Sequence, residues 1–255
     1  MLIPYLARRN ARPIAVRTRL FRFHVAALAL CFTLSLAAGP DTANAGRAGA
    51  KKSISIAVVG DSLANDLGQG MEALFSSRPN VRISKQTHFS TGLVRVDYFN
   101  WYAHVRRFVN SADPDVIVVV IGGNDRQTIR MKGLSYNPYT KGWMREYERR
   151  VDYFMRSLKR ADAKIYWVGL PVVRSDKLSR SYRAMNSIFR RQAKRHGFNY
   201  VAIWDEFLGP DDAYSSFGKS LNGVKRRLRK KDGMHFTETG KLRFAAYVAE
   251  AIGLR

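Results

Sequence analysis

From residue 46 to the end of the chain there is no cysteine; the single one, Cys31, lies in an apolar stretch near the start. That absence excludes a disulfide framework, a thiol nucleophile and a thiolate metal site from the body of the chain. Acidic residues are scarce, 20 Asp+Glu against 44 Lys+Arg, which gives a net charge of +24. Such a field attracts nucleic acid, acidic glycans or anionic lipid surfaces. No helix-turn-helix, zinc-finger or RNP signature is present, so nucleic acid falls behind the other anions. Long hydrophobic runs are missing too. The longest uncharged, mostly apolar stretch, VAALALCFTLSLAA at 25–38, has 14 residues, short of the roughly 20 that a membrane span needs.

That stretch follows Arg8, Arg9, Arg12, Arg17, Arg19 and Arg22 and precedes Ala43-Asn44-Ala45. A basic leader, a short apolar core and small residues at a cleavage position read as a signal peptide over 1–45, with a retained N-terminal anchor as the alternative. Residue 30 is Leu, not the small residue a lipoprotein site needs. The leader carries six of the cations and one of the acids, so residues 46–255 keep a net charge of +19. Export would place them in a bacterial periplasm or outside the cell, with association at a membrane surface open. Residues 46–53 read as a linker and 54–255 as one domain, long enough to bury a core.

Across 54–255, short runs rich in β-branched residues alternate with segments of helical spacing, with no internal repeat. Strands are expected at 54–59, 81–85, 116–121, 164–168 and 200–203. Helices are expected at 63–75, 97–110, 143–161, 180–196 and 237–252. The alternation predicts an α/β fold with a five-stranded parallel sheet covered on both faces. Two long connections, 122–142 and 205–236, follow strands. Both therefore fall at the carboxyl edge of the sheet, where open α/β sheets bind ligands.

Four short motifs follow these strands. Ser62, in GDSL at 60–63, opens the first helix; it is either a helix cap or a nucleophile at the positive end of a helix dipole. It is not in a Gly-x-Ser-x-Gly elbow, because residue 64 is Ala. Gly92 is either a turn glycine or a backbone N–H offered to a ligand. In GGND at 122–125, Asn124 can give an amide N–H to an oxyanion and Asp125 can brace the loop, although Asn and Asp after Gly also make ordinary turns. In DGMH at 232–235, Asp232 can orient His235 as a base; otherwise it is an acid before a helix. Half a metal site is a weaker reading, since no third or fourth ligand clusters with the pair. Each motif has an ordinary reading. Their convergence on one sheet edge has a much poorer one.

These residues resemble the GDSL, or SGNH, hydrolases, whose four blocks centre on Ser, Gly, Asn and His, here Ser62, Gly92, Asn124 and His235. STGLVRVDYFNW, GGNDRQ, WVGLP and DGMHFTETG are similar to an exported bacterial branch of that family. The resemblance implies a three-layer α/β/α, flavodoxin-like fold and a cofactor-free serine esterase. In it Ser62 attacks an ester, His235 is the base, Asp232 orients His235, and Ser62, Gly92 and Asn124 form the oxyanion hole. Water as acceptor gives hydrolysis; a sugar hydroxyl gives acyl transfer. The run KRRLRKK at 225–231, with Arg126 and Arg95, would make the mouth basic and suit an O-acylated anionic envelope glycan. A solvated basic loop is the simpler explanation of such a run. Tyr136, Tyr139 and Trp143 either stack on sugars or pack inside the protein. A lipid-directed esterase and a non-catalytic envelope-binding protein are the competing functions.

Overall fold

A computed structural model describes residues 53–131 and 133–254. The signal peptide or anchor and nearly all of the linker lie outside these residues. The order of elements is β1 (Ile54–Gly60), α1 (Ser62–Leu74), β2 (Val81–Thr87), α2 (Trp101–Ser111), β3 (Val116–Val120), β4 (Ile129–Met131), β5 (Leu134–Tyr136), α3 (Lys141–Leu158), β6 (Lys164–Val168), α4 (Asp176–His196), β7 (Asn199–Val201), β8 (Phe217–Lys219), β9 (Lys225–Arg227) and α5 (Glu238–Ala251).

Five strands form one parallel sheet in the order β2-β1-β3-β6-β7. Counted within the sheet this is 2-1-3-4-5, the flavodoxin-like order, and β1 and β3 flank its switch point. The expected three-layer α/β/α architecture is the observed one. α1 packs against α5 as one helical layer, while α2, α3 and α4 pack in succession as the other. With helices on both faces, β3 (VIVVV) is buried at all five positions. A fully buried Val contributes about 1.5–3 kcal/mol. Beneath α2–α4 the core is aromatic: Trp101, Trp143, Trp167, Tyr147, Phe154 and Phe189 are all fully buried. Trp143 stacks on Tyr147 with ring centroids 4.7 Å apart. Trp143 is thus a packing residue, with Tyr139 half-buried against it at 5.2 Å.

Several element boundaries differ from the sequence expectation. α4 begins at Asp176 rather than 180, because the Ser175 hydroxyl accepts the Leu178 N–H and caps it there. α2 begins at Trp101 rather than 97, because Asn100 caps it through the Ala103 N–H. α3 starts two residues early, at Lys141, with Thr140 as its cap. Each long connection also carries an antiparallel hairpin, β4–β5 after β3 and β8–β9 after β7. Their three-residue strands are too short to show alternation in the sequence.

Candidate active site

The register of the sheet assembles the site. Gly60 ends β1 opposite Thr87 of β2 and Val120 of β3, so the three following loops leave one edge together. Gly60 has φ +143°, and a Cβ there would overlap the Val120 carbonyl oxygen. Only glycine lets β1 turn into α1 at this spacing.

The cap of α1 is Asp61, not Ser62. Asp61 Oδ1 accepts the Leu63 N–H at 2.9 Å, and Oδ2 accepts the N–H groups of Gly122 and Gly123 at 3.0 and 2.8 Å. One buried carboxylate therefore ties the first loop to the third and leaves the Ser62 hydroxyl uncommitted to capping. Burial raises the Asp61 pKa to about 6, with the negative Asp125 adding to it and the three N–H bonds opposing.

Ser62 Oγ lies 2.8 Å from His235 Nε2, and His235 Nδ1 lies 2.8 Å from Asp232 Oδ2. The tautomer with its hydrogen on Nδ1 satisfies both contacts, leaving Nε2 as acceptor for the Ser62 hydroxyl. Asp232 Oδ1 accepts the Met234 and His235 N–H groups at 2.8 and 3.0 Å. Partial burial opposes ionisation of Asp232, but the Met234 N–H, the His235 ring and the His235 N–H outweigh it and bring its pKa down to about 2. The backbone around His235 is fixed on both sides. Its carbonyl accepts the Lys230 N–H at 2.8 Å, and the Phe236 N–H is held by Asp66 Oδ2 of α1 at 2.9 Å.

The other two motifs meet across the edge. Asn124 donates one amide hydrogen to the Thr91 carbonyl at 2.9 Å, which orients the amide and leaves its second hydrogen available. Asp125 braces the loop as the sequence suggested. It is fully buried and accepts the Leu93 and Val94 N–H groups at 2.9 and 2.8 Å and the Tyr147 hydroxyl at 2.9 Å. Arg150 grips the same segment by its carbonyls, donating to Leu93 and Val94 at 2.8 Å each. A Cβ on Gly92 would overlap Asp125 Oδ1, so this glycine is required by close approach. Ser62, Asn124 and the Gly92 segment thus converge on the end of α1, whose first N–H groups have no intrahelical acceptor and favour negative charge.

The proposed substrate-binding cations are placed differently. Arg95 is exposed, its guanidinium held by Asp97 at 2.8–3.1 Å. Arg126 is half-buried, with a buried Nε that has no hydrogen-bond partner among the described residues. The basic run divides. Lys225, Arg226 and Arg227 form β9 and are exposed, as are Lys230 and Lys231, but Arg229 is fully buried. It donates to the Met234 and Val172 carbonyls at 2.6 Å each and lies 4.0 Å over the Phe236 ring. Burial lowers its pKa to about 10, against the pull of Tyr214, Asp66 and other groups. The reading of 225–231 as a uniform solvated loop is thereby corrected at this position.

Sequence reasoning missed Asp61, Asp66, Arg150 and Arg229. Only Asp61 left a signal, as an acidic residue directly before a helix. Among the described residues no group of three or more His, Cys, Asp or Glu is assembled to hold a metal.

No curated protein matches the sequence. Solved structures do match. A protein of Slackia heliotrinireducens assigned to the SGNH hydrolases superposes with a TM-score of 0.53 at 17% identity, covering 79% of this chain and all of that one. LAE5, an alpha/beta hydrolase enzyme from the metagenome of Lake Arreo, gives 0.55 at 17% over 80% and 96% of the two chains. The psychrotrophic esterase EstA of Pseudoalteromonas sp., whose structure was solved inhibited by monoethylphosphonate, gives 0.53 at 11% over 78% and 96%. At these identities the likeness establishes the fold. A family model, protein of unknown function (DUF459), matches residues 55–251. The chain therefore belongs to the DUF459 family and carries the SGNH hydrolase fold.

Proposed function

We propose that the protein is an exported serine esterase that hydrolyses or transfers acyl groups, chiefly O-acetyl, on cell-envelope carbohydrate. The observation that carries the reading is the unbroken chain Ser62 Oγ–His235–Asp232, with both links at 2.8 Å. As Ser62 attacks the ester carbonyl, His235 Nε2 takes the hydroxyl proton. Asp232, ionised down to about pH 2, stabilises the resulting imidazolium. The oxyanion develops at the start of α1, within reach of the Ser62 and Gly92 N–H groups and the second amide hydrogen of Asn124. His235 then returns the proton to the leaving alcohol, and water or a sugar hydroxyl resolves the acyl-enzyme. No cofactor takes part. The exposed cations of β9 and its flanks, with the overall positive charge, favour an anionic acceptor.

A lipid-directed esterase is the second reading, favoured by exposed Phe89, Tyr98 and Leu134 on connections that leave the same edge. Hydrolysis of p-nitrophenyl esters of increasing acyl length separates the two: an envelope deacetylase prefers acetate, and a lipase prefers long chains. Ser62→Ala should lose about 10³-fold or more in kcat/KM on the preferred ester. Equal activity in the variant would remove Ser62 as the nucleophile. A serine-reactive phosphonate should add to Ser62 in the wild type only.

A further inference from the structure

Away from the catalytic edge, a cleft of about 530 Å³ runs along the flank of the molecule between α4 and the last sheet strand, β7. One wall is the exposed side of α4, with Arg183 and Arg190; the other is Tyr200, Trp204 and the exposed Asp205. Arg183 lies 4.8 Å over the Trp204 ring and Arg190 lies 5.2 Å over the Tyr200 ring. Among the described residues neither arginine makes an ion pair, whereas their neighbour Arg191 is held by Glu148. The two are seven residues apart, two helical turns or about 10 Å. Trp204 Nε1, at the same wall, is buried without a hydrogen-bond partner. Two cations oriented by aromatic faces and set two turns apart along an open groove, against the single carboxylate Asp205, form a track for a polymer that carries repeated negative charge.

We propose that this cleft is a second binding site, which holds an acidic polysaccharide strand along the exposed side of α4. α4 follows β6 and so starts at that edge. Arg183, in its second turn, is nearer the edge, and Arg190 lies two turns beyond it. A strand bound along the track therefore has one end at the carboxyl edge of the sheet, the edge that also carries Ser62. The aromatic faces are covered by guanidinium groups and offer no platform for unstacked bases, the main affinity device of single-stranded nucleic-acid binders. An acidic glycan, held through carboxylates or phosphates, fits the groove better. The proposal deepens the envelope-carbohydrate reading and rests on it for the direction of the bound strand.

Binding tests it without catalysis. Polygalacturonate oligomers are titrated into the wild type, the double variant Arg183→Gln/Arg190→Gln, and a charge-matched control, Arg106→Gln/Arg107→Gln on α2. The groove variant should bind at least fivefold more weakly than the control, with p-nitrophenyl acetate turnover unchanged in both. On O-acetylated polygalacturonate its KM should rise while kcat holds. Equal weakening in the two variants would reduce the effect to net charge and overturn the site. Loss of affinity for single-stranded DNA but not for the glycan would overturn the ligand class. If Ser62→Ala instead proves as active as wild type while the groove variant still loses glycan affinity, the catalytic reading falls and the binding site stands.

Discussion

Asp61 and Asp232 are two carboxylates beside one serine with opposite surroundings. Asp232 is partly exposed and hydrogen-bonded, so its folded pKa falls from 3.8 to about 2. Its stabilising contribution is fully present above about pH 4 and is lost as the pH drops toward 2. Asp61 is fully buried, and its pKa rises from 3.8 to about 6. Between those values the folded state binds more proton than the unfolded chain. The contribution of Asp61 to stability is therefore largest below about pH 4 and declines as the pH rises through 6. Asp61→Asn should flatten the fall of unfolding free energy between pH 4 and 6, only in part because buried Asp125 is also shifted upward. At pH 7 the variant should be about 1–3 kcal/mol less stable, since its single amide oxygen cannot accept from the Leu63 N–H and from both glycine N–H groups at once. Urea unfolding at pH 4.5 and 7 measures both effects; an unchanged pH slope would contradict this account of Asp61. Why sequence reading weighed Ser62 as a cap is plain at this scale. Asp and Ser are both strong caps and sit side by side, and the choice between them depends on which one Gly122 and Gly123 approach in space.

Among the elements, the segment from β9 to α5 shows what a charge count hides. Six of the seven residues at 225–231 are Lys or Arg, but the side chain at 229 points inward and fastens the carbonyl that precedes His235. Arg229 acts through that backbone and is a positioning residue. Arg229→Met should lower kcat at least tenfold on a chromogenic acetate ester with KM little changed, and Arg229→Lys should recover part of the loss. A fall in stability with kcat intact would make the arginine purely structural. The strands of the main sheet were legible because burial on both faces demands continuous apolar runs, as in β3. The hairpins were not, because three-residue strands with mixed exposure leave no period. The helix starts after Ser175 and Asn100 were marked in the sequence by good caps, but the apolar spacing drew the expected start of α4 four residues inward and that of α2 four residues outward.

For the whole molecule, the dominant quantity is the charge. With a net charge of +24, +19 over residues 46–255, and exposed Lys230 and Lys231 next to Asp232, turnover of an anionic acetylated polymer at low substrate should fall several-fold between 20 and 200 mM salt. Turnover of neutral p-nitrophenyl acetate should not change over that range. Parallel salt curves for the two substrates would remove electrostatic steering. The four site motifs could be placed together from sequence because their loops all follow parallel strands, and a parallel sheet brings every such loop to one edge. What holds them in register was not visible. Asp61 reaches the Gly122 and Gly123 N–H groups, and Asp125 and Arg150 grip residues 93–94, across separations no local pattern records.

Ser62 and His235 meet across 173 residues of chain. Ser62 opens α1 and His235 lies just before α5, and these two helices pack together where Asp66 of α1 holds the Phe236 N–H. The five strands and the aromatic core beneath α2–α4 contain neither Asp232 nor His235, so that part of the fold does not by itself complete the Ser62–His235–Asp232 chain. In the proposed mechanism, loosening α5 from α1 would part the base from the nucleophile while the five-stranded sheet stays whole.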